Sequence, residues 1–263
     1  MKTVGELRIA QPFPWAHMLA YFAPRLIPGA EQVTADRYER RIGNAALRVE
    51  LRSSPARLRV QADGRVAAED VLQRVARVFD VADDWTEARD ALRDDPSIGP
   101  RLARVPGVRP LGAWCPFELC LRTVLGQQVT VAAAGTLMRR LVDRCGALTP
   151  ASVLAADLSA MGMPGKRVET IRSLAAAFAG NPRLLEAAAW PDTESALRTV
   201  GGIGPWTLAY LAIRLGRQSD AFPHTDIGLI RAAGASSPVA LLKMSERWRP
   251  HRALAAIYLW SVP

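Results

Sequence analysis

Two periodicities divide the chain. Ala45 to Leu51 and Arg57 to Ala62 alternate apolar and charged side chains, as in LRVELR and RLRVQA, which is the period-two pattern of half-buried strands. Ser53, Ser54 and Pro55 between them read as a turn. From Val71 to Phe79 the spacing changes: Leu72, Val75, Ala76 and Phe79 fall on one helical face. An apolar sheet face and an apolar helix face must bury one another, so the first part of the chain is expected to be a small α+β unit, an antiparallel sheet with helices packed on it. Pro96 to Pro110 also holds Gly99, Pro100, Pro106 and Gly107, and a boundary is expected there, giving units at 1–108 and 109–263.

Beyond Leu111 the pattern is helical almost throughout. Apolar residues recur three or four apart over Phe117 to Gly126, Val129 to Arg144, Ser152 to Met161, Arg167 to Ala179, Asp192 to Val200, Trp206 to Leu215, Ile227 to Ala233 and Arg252 to Ser261. Gly, Pro, Asn or Asp separates them. The second unit is therefore expected to be all-α.

Length and composition narrow the function. The 263 residues suffice for one large domain or two small ones, and 49% hydrophobic with 22% charged residues excludes a disordered chain. No stretch has the roughly 18 uninterrupted apolar residues of a membrane helix, so a cytoplasmic protein with no membrane partner is expected. Cys115, Cys120 and Cys145 lack metal-ligand spacing with histidines. Lys+Arg 34 against Asp+Glu 25 gives a net charge of +9, almost all of it from arginine. Arginine grips phosphate bidentately and stacks on bases, which suits a nucleic-acid partner. A GC-rich genome would also favour arginine over lysine, so charge alone does not establish that partner.

The most informative segment is LRTVGGIGPWTLAYLAIRLGRQSDAFPHTD, Leu197 to Asp226. A helix, then Gly201-Gly202-Ile203-Gly204, then a helix opened by Pro205 describes two helices joined by a hairpin. Free amides at the start of the second helix, with the helix dipole behind them, can donate to a phosphate oxygen. A plain helix-turn-helix, whose glycines only permit tight packing, has the same pattern.

With its neighbours, this segment resembles the helix-hairpin-helix DNA glycosylases, and more narrowly the bacterial 3-methyladenine DNA glycosylase II family. The resemblance rests on QPFPWAHMLAYF (Gln11 to Phe22), LGQQVTVAAA (Leu125 to Ala134), MGMPGKR (Met161 to Arg167), GIGPWTLAYLAIR (Gly202 to Arg214), DAFPHTD (Asp220 to Asp226) and ERWRPHRALAAIYLW (Glu246 to Trp260). The motifs run in the family's order over nearly the whole chain. The resemblance implies a glycosylase core after the sheet domain, acting as a monomer on damaged duplex DNA in the nucleoid.

It also assigns roles. Asp226 is the expected catalytic carboxylate; an N-cap for the helix beginning at Ile227 is a compatible second role. Trp206, Tyr210, Trp260 and Tyr21 are expected around the extruded base, with Gln127 a contact to the bases or pocket. Gln128 is expected to fill the gap in the duplex, and Gly202, Ile203, Gly204 and Trp206 to meet the strand. Arg139, Arg140, Arg214, Arg249 and Arg252 are candidate phosphate contacts or solvated charges. No catalytic cofactor is expected, but carbonyls of Arg198, Val200 and Ile203 would hold a monovalent cation, Na+ or K+, as in the family.

Trp206 stands where lyase-competent relatives carry lysine, so hydrolysis without a Schiff base is expected. Alkylated purines such as 3-methyladenine are the expected substrates, since an aromatic face attracts a cationic base. Hypoxanthine, ethenoadenine and oxidised bases are alternatives within the same chemistry. A damage-binding protein without activity is the alternative outside it.

Overall fold

The computed structural model describes residues 1–81, 84–186 and 190–262. Its first part is one antiparallel sheet of β1 (Lys2–Arg8), β2 (Glu31–Val33), β3 (Arg37–Ile42), β4 (Ala45–Ser53) and β5 (Ala56–Ala62), in the order β1-β5-β4-β3-β2. The alternation in β4 and β5 buries Leu47, Val49, Leu58 and Val60 completely. Over this face lie α1 (Trp15–Phe22) and α2 (Ala68–Phe79), which contribute Met18, Leu19 and Phe22 and Val71, Val75 and Phe79 to the same core. Gly5 brings β1 close to α2: a Cβ there would stand 2.8 Å from a Leu72 methyl.

Short helices follow: α3 (Thr86–Leu92), α4 (Gly99–Arg104), α5 (Pro116–Leu125), α6 (Val131–Cys145), α7 (Pro150–Ala155), α8 (Gly165–Gly180), α9 (Trp190–Arg198), α10 (Pro205–Arg214), α11 (Ile227–Ala232), α12 (Pro238–Ser245) and α13 (Arg252–Ser261). They form two cores. One gathers Phe117, Leu121, Leu141, Ile171, Leu174, Phe178 and Leu211 from α5, α6, α8 and α10. The other joins Trp85, Ile98 and Leu102 to Ile213, Leu241, Trp248, Leu254 and Tyr258. Residues 85–108 thus pack on the C-terminal helices rather than on the sheet. Among the described residues no helix is long and apolar enough to cross a membrane.

α10 touches every core. Leu211 enters the first helical core and Ile213 the second, while Arg214, buried, donates to the Leu111 carbonyl at 2.9 Å. Leu111 belongs to the sheet core. The helix after the glycine hairpin is therefore fixed from three sides.

Some expected boundaries move for local reasons. The helix expected over Ser152 to Met161 stops at Ala155, because the Asp157 carboxylate accepts the Ser159 amide at 2.9 Å and turns the chain, with Gly162 at φ +71°. Leu158 and Met161 are buried from this turn rather than from a helix. The helix expected from Val129 begins at Val131, capped by the Thr130 hydroxyl. α12 was not expected, although Ser237 as cap and Pro238 at the first helical position are its sequence signature.

A buried ion network ties the sheet to the helices. Arg40 of β3, 5% exposed, reaches Glu31 at 2.8 Å and Glu118 of α5 at 2.6 Å, and Arg122 reaches Glu31 at 3.3 Å. Breaking such a pair leaves a charge without its partner. Glu118→Gln is expected to cost about 3 kcal/mol, a fall of roughly 6–12 °C in Tm. Asp90→Asn, which breaks the exposed Arg93 pair, is expected to change stability by less than ~1 kcal/mol in the same thermal melts.

Candidate active site

Asp226 closes the turn after Pro223 and caps α11. Its Oδ1 accepts the Leu229 amide at 2.8 Å, so the side chain is fixed to the helix it starts. Two further donors come from elsewhere in the chain. Trp206, the second residue of α10, donates its indole N–H to Oδ2 at 2.8 Å, and Trp260 of α13 donates to Oδ1 at 3.0 Å. All three donors are neutral. Among the described residues the carboxylate pairs with no arginine, and it is half-buried rather than sealed.

The aromatic side chains form one connected group. Trp206 and Tyr210, four apart on α10, stack with centroids 5.6 Å apart and planes 14° from parallel. Trp260 meets Tyr210 edge-on at 5.6 Å. Trp206 and Tyr210 also form a wall of a cavity of about 160 Å3, lined elsewhere by Leu26, Arg25, Arg122, Val129 and Met138. The same indole that bonds Asp226 at its edge thus faces this cavity. The structure brings Asp226, Trp206, Tyr210 and Trp260 together.

Tyr21 joins them through its hydroxyl, 3.4 Å from that of Tyr210. Its ring carries two guanidiniums, Arg25 at 4.4 Å and Arg214 at 4.5 Å from the centroid. Burial opposes ionisation of the Tyr21 phenol, but Arg214 and Arg25 outweigh it, and its pKa lies below the ordinary tyrosine value. Burial and then the neighbouring Tyr21 oxygen push Tyr210 the other way, up to about 12.

Gln127 is turned to the hairpin instead of the aromatic group. Its side-chain amide donates to the Gly202 carbonyl and the Thr207 hydroxyl, both at 3.0 Å, while its main-chain carbonyl accepts from Arg167 at 2.7 Å. Gln128 is exposed, with φ +57°, beside the cavity-lining Val129. At Gly202 φ is +88°, and a Cβ would stand 2.1 Å from the Thr170 hydroxyl, so only glycine fits. Gly204 caps α10 in extended conformation. The Val200 carbonyl accepts the Ile203 amide at 3.1 Å, and the Arg198 side chain is drawn to Glu194.

Among the arginines, Arg214 is a correction: 6% exposed and under the two tyrosines, it is no surface phosphate contact. Arg249 and Arg252 bind Asp220 and Glu246, Arg140 donates to the Met161 carbonyl, and Arg139 is exposed. Sequence reasoning did not find Arg25, Leu26 and Arg122, because Arg25 and Leu26 follow α1 and Arg122 lies on α5, and only the fold brings them to one cavity beside Trp206 and Tyr210. Arg25, four residues beyond Tyr21, was the one available signal.

Residues 4–115 match the AlkA N-terminal domain family, and residues 121–239 match the HhH-GPD superfamily base excision DNA repair protein family. A Mycobacterium tuberculosis protein described as "Probable bifunctional transcriptional activator/DNA repair enzyme AlkA" is 30% identical over 97% of this chain; the chain spans 56% of that relative's length. DNA-3-methyladenine glycosylase 2 of Escherichia coli is 29% identical over 95% of this chain and 94% of its own. The solved 3-methyladenine DNA-glycosylase from Archaeoglobus fulgidus shares the fold at TM-score 0.81, with 17% identity and 97% of each chain covered.

The tyrosines offer a direct check of this electrostatic arrangement. Of the four in the chain, Tyr38, Tyr210 and Tyr258 are shifted up and Tyr21 alone is shifted down. Alkaline absorbance titration is expected to show one phenol ionising below the ordinary tyrosine pKa of about 10, and Tyr21→Phe is expected to remove that phase. A native titration with no such phase would contradict the placement of Arg25 and Arg214.

Proposed function

We propose that this chain, which belongs to the HhH-GPD superfamily of base excision DNA repair proteins and carries an AlkA N-terminal domain, is a monofunctional DNA glycosylase that hydrolyses the N-glycosidic bond of alkylated purines. The observation that carries the reading is the Asp226 carboxylate, held by two indoles and one amide with, among the described residues, no cation paired to it. As the glycosidic bond stretches, the sugar gains oxocarbenium character. An anion about 4 Å from that charge stabilises it by roughly 4 kcal/mol at an effective dielectric near 20, close to a thousandfold in rate.

The other residues bind and orient. A base extruded from the stack would lie against Trp206 and Tyr210 in the adjoining cavity, where ring faces attract a cationic purine. Trp260 and Tyr21 complete the surroundings. Gln128, exposed and held in a left-handed conformation at the loop tip, is suited to enter the duplex where the base has left. Gln127 would serve by pinning that loop to the hairpin, where Gly202, Ile203, Gly204 and the first amides of α10 receive a phosphate. Trp206 offers no amine to the sugar, so water completes the reaction and leaves an abasic site.

A monovalent cation fits the hairpin by the chemistry of its donors. The carbonyls of Arg198, Val200 and Ile203 are hard neutral oxygens, and Val200 keeps a lone pair beside its bond to the Ile203 amide. When bound, the ion would link the hairpin to a phosphate. We divide the chain into units at 1–108 and 109–263, close to where the two family matches meet, while α3 and α4 lend their apolar faces to the second. We assign the chain to the nucleoid as a monomer acting on duplex DNA.

A second reading has its own observation. Arg25 and Arg122 line the cavity, and Arg25 and Arg214 already occupy the Tyr21 ring, which works against a cationic guest and favours neutral lesions such as hypoxanthine or ethenoadenine. Release from a panel of duplexes, each with one lesion, decides between them. 3-Methyladenine or 7-methylguanine is expected to leave fastest; faster release of neutral lesions would favour the second reading. Asp226→Asn is expected to slow release by about a thousandfold with duplex binding retained, and borohydride to trap no covalent adduct. Unchanged release by this variant would refute the assignment.

A further inference from the structure

The outer face of the sheet is ordered by charge. Outward side chains meet directly opposite partners on neighbouring strands, and most rows alternate in sign. Glu6, Arg59, Glu50 and Arg37 form one row across β1, β5, β4 and β3, and Arg48 stands opposite Glu39 in the next. Ion pairs stitch these rows, with Arg59 to Glu6 at 3.1 Å, Arg48 to Glu39 at 2.9 Å and Arg37 to Glu39 at 3.1 Å. Such pairs stabilise a sheet, and like charges directly opposite one another destabilise it.

One row breaks the rule. Arg8 of β1 faces Arg57 of β5, and Arg57 faces Arg52 of β4. Arg8 and Arg52 are exposed and Arg57 half-exposed. None of the three makes an ion pair or side-chain hydrogen bond among the described residues. Three arginines in register without a carboxylate carry a cost that the adjacent rows avoid by alternation.

We propose that Arg8, Arg57 and Arg52 form a phosphate-binding row, a contact for the backbone of duplex DNA separate from the aromatic site. Its occupant follows from charge and spacing. Strands lie about 4.8 Å apart, so the three stems span roughly 10 Å, and the long, flexible arginine side chains fan out from them far enough for each to meet its own phosphate of a passing strand. The guanidinium fork suits phosphate oxygens in pairs. The net charge of +9 favours a polyanion. The face is the one opposite that covered by α1 and α2, so the row acts on binding and not on the chemistry near Asp226. The inference rests on the reading of this chain as a DNA enzyme.

Binding of a long undamaged duplex, measured by fluorescence anisotropy over a salt series, tests it. In the combined variant Arg8→Gln, Arg52→Gln, Arg57→Gln the slope of log K against log salt is expected to fall by about 2.7, and Kd at low salt to rise tenfold or more, roughly 0.9 slope units per phosphate contact. Arg57→Glu restores alternation, so it is expected to raise Tm and yet weaken binding. Single-turnover base release at saturating enzyme should be unchanged in both. If both variants fold and keep the native slope, the proposal is overturned, and an acidic protein partner becomes the alternative for the row. If Arg57→Glu raises Tm with no loss of affinity, it is overturned too. A native protein that binds no duplex would instead overturn the reading of the chain as a DNA enzyme.

Discussion

An anion held only by neutral donors is the constraint on which the rest of the structure depends. In a chain with 34 basic residues, Asp226 accepts one amide and two indole N–H groups and no guanidinium. Ion pairing would fix the same carboxylate and also spend its charge. Indole N–H groups orient it and, under the proposed function, would leave that charge for a reacting group, in surroundings that screen it less than water does. Both indoles come from helices far apart in sequence, so the carboxylate is positioned only when α10, α11 and α13 have met.

That dependence explains the packing around α10. Its residues divide their work by direction: Leu211 and Ile213 anchor it in two helical cores, Arg214 ties it to the sheet unit through Leu111, and Trp206 and Tyr210 face the cavity. Arg214 adds a buried cation whose Nε has no partner and whose charge acts on both tyrosine rings. The cavity therefore has aromatic faces on one side and positive charge near another. Under the proposed function, lesion choice would follow from the balance of the two.

Much of this was legible in the sequence, and the rest was not for identifiable reasons. β4 and β5 alternate cleanly because one face is buried and the other carries charges, whereas Gly5 interrupts β1 for the sake of a leucine on α2. The aromatic group around Asp226 followed from motifs, since Trp206 and Tyr210 share a helical face at a spacing of four. The roles of Arg25 and Arg122 depended on the turn after α1 and on α5 bordering the same cavity as Trp206 and Tyr210, a long-range arrangement with no local signal. Gln127 illustrates the same limit: its residue type suited a base contact, and the fold spends its amide on the hairpin. Arg214 looked like a surface charge because sequence does not report which turn of a helix is covered.

The most direct measurement compares two duplexes with abasic-site analogues, one carrying a cationic pyrrolidine and the other a neutral tetrahydrofuran. If the Asp226 carboxylate meets a developing positive sugar, the native protein binds the cationic analogue up to about a thousandfold more tightly, and Asp226→Asn loses that preference. Equal affinity of the native protein for the two duplexes would contradict the account.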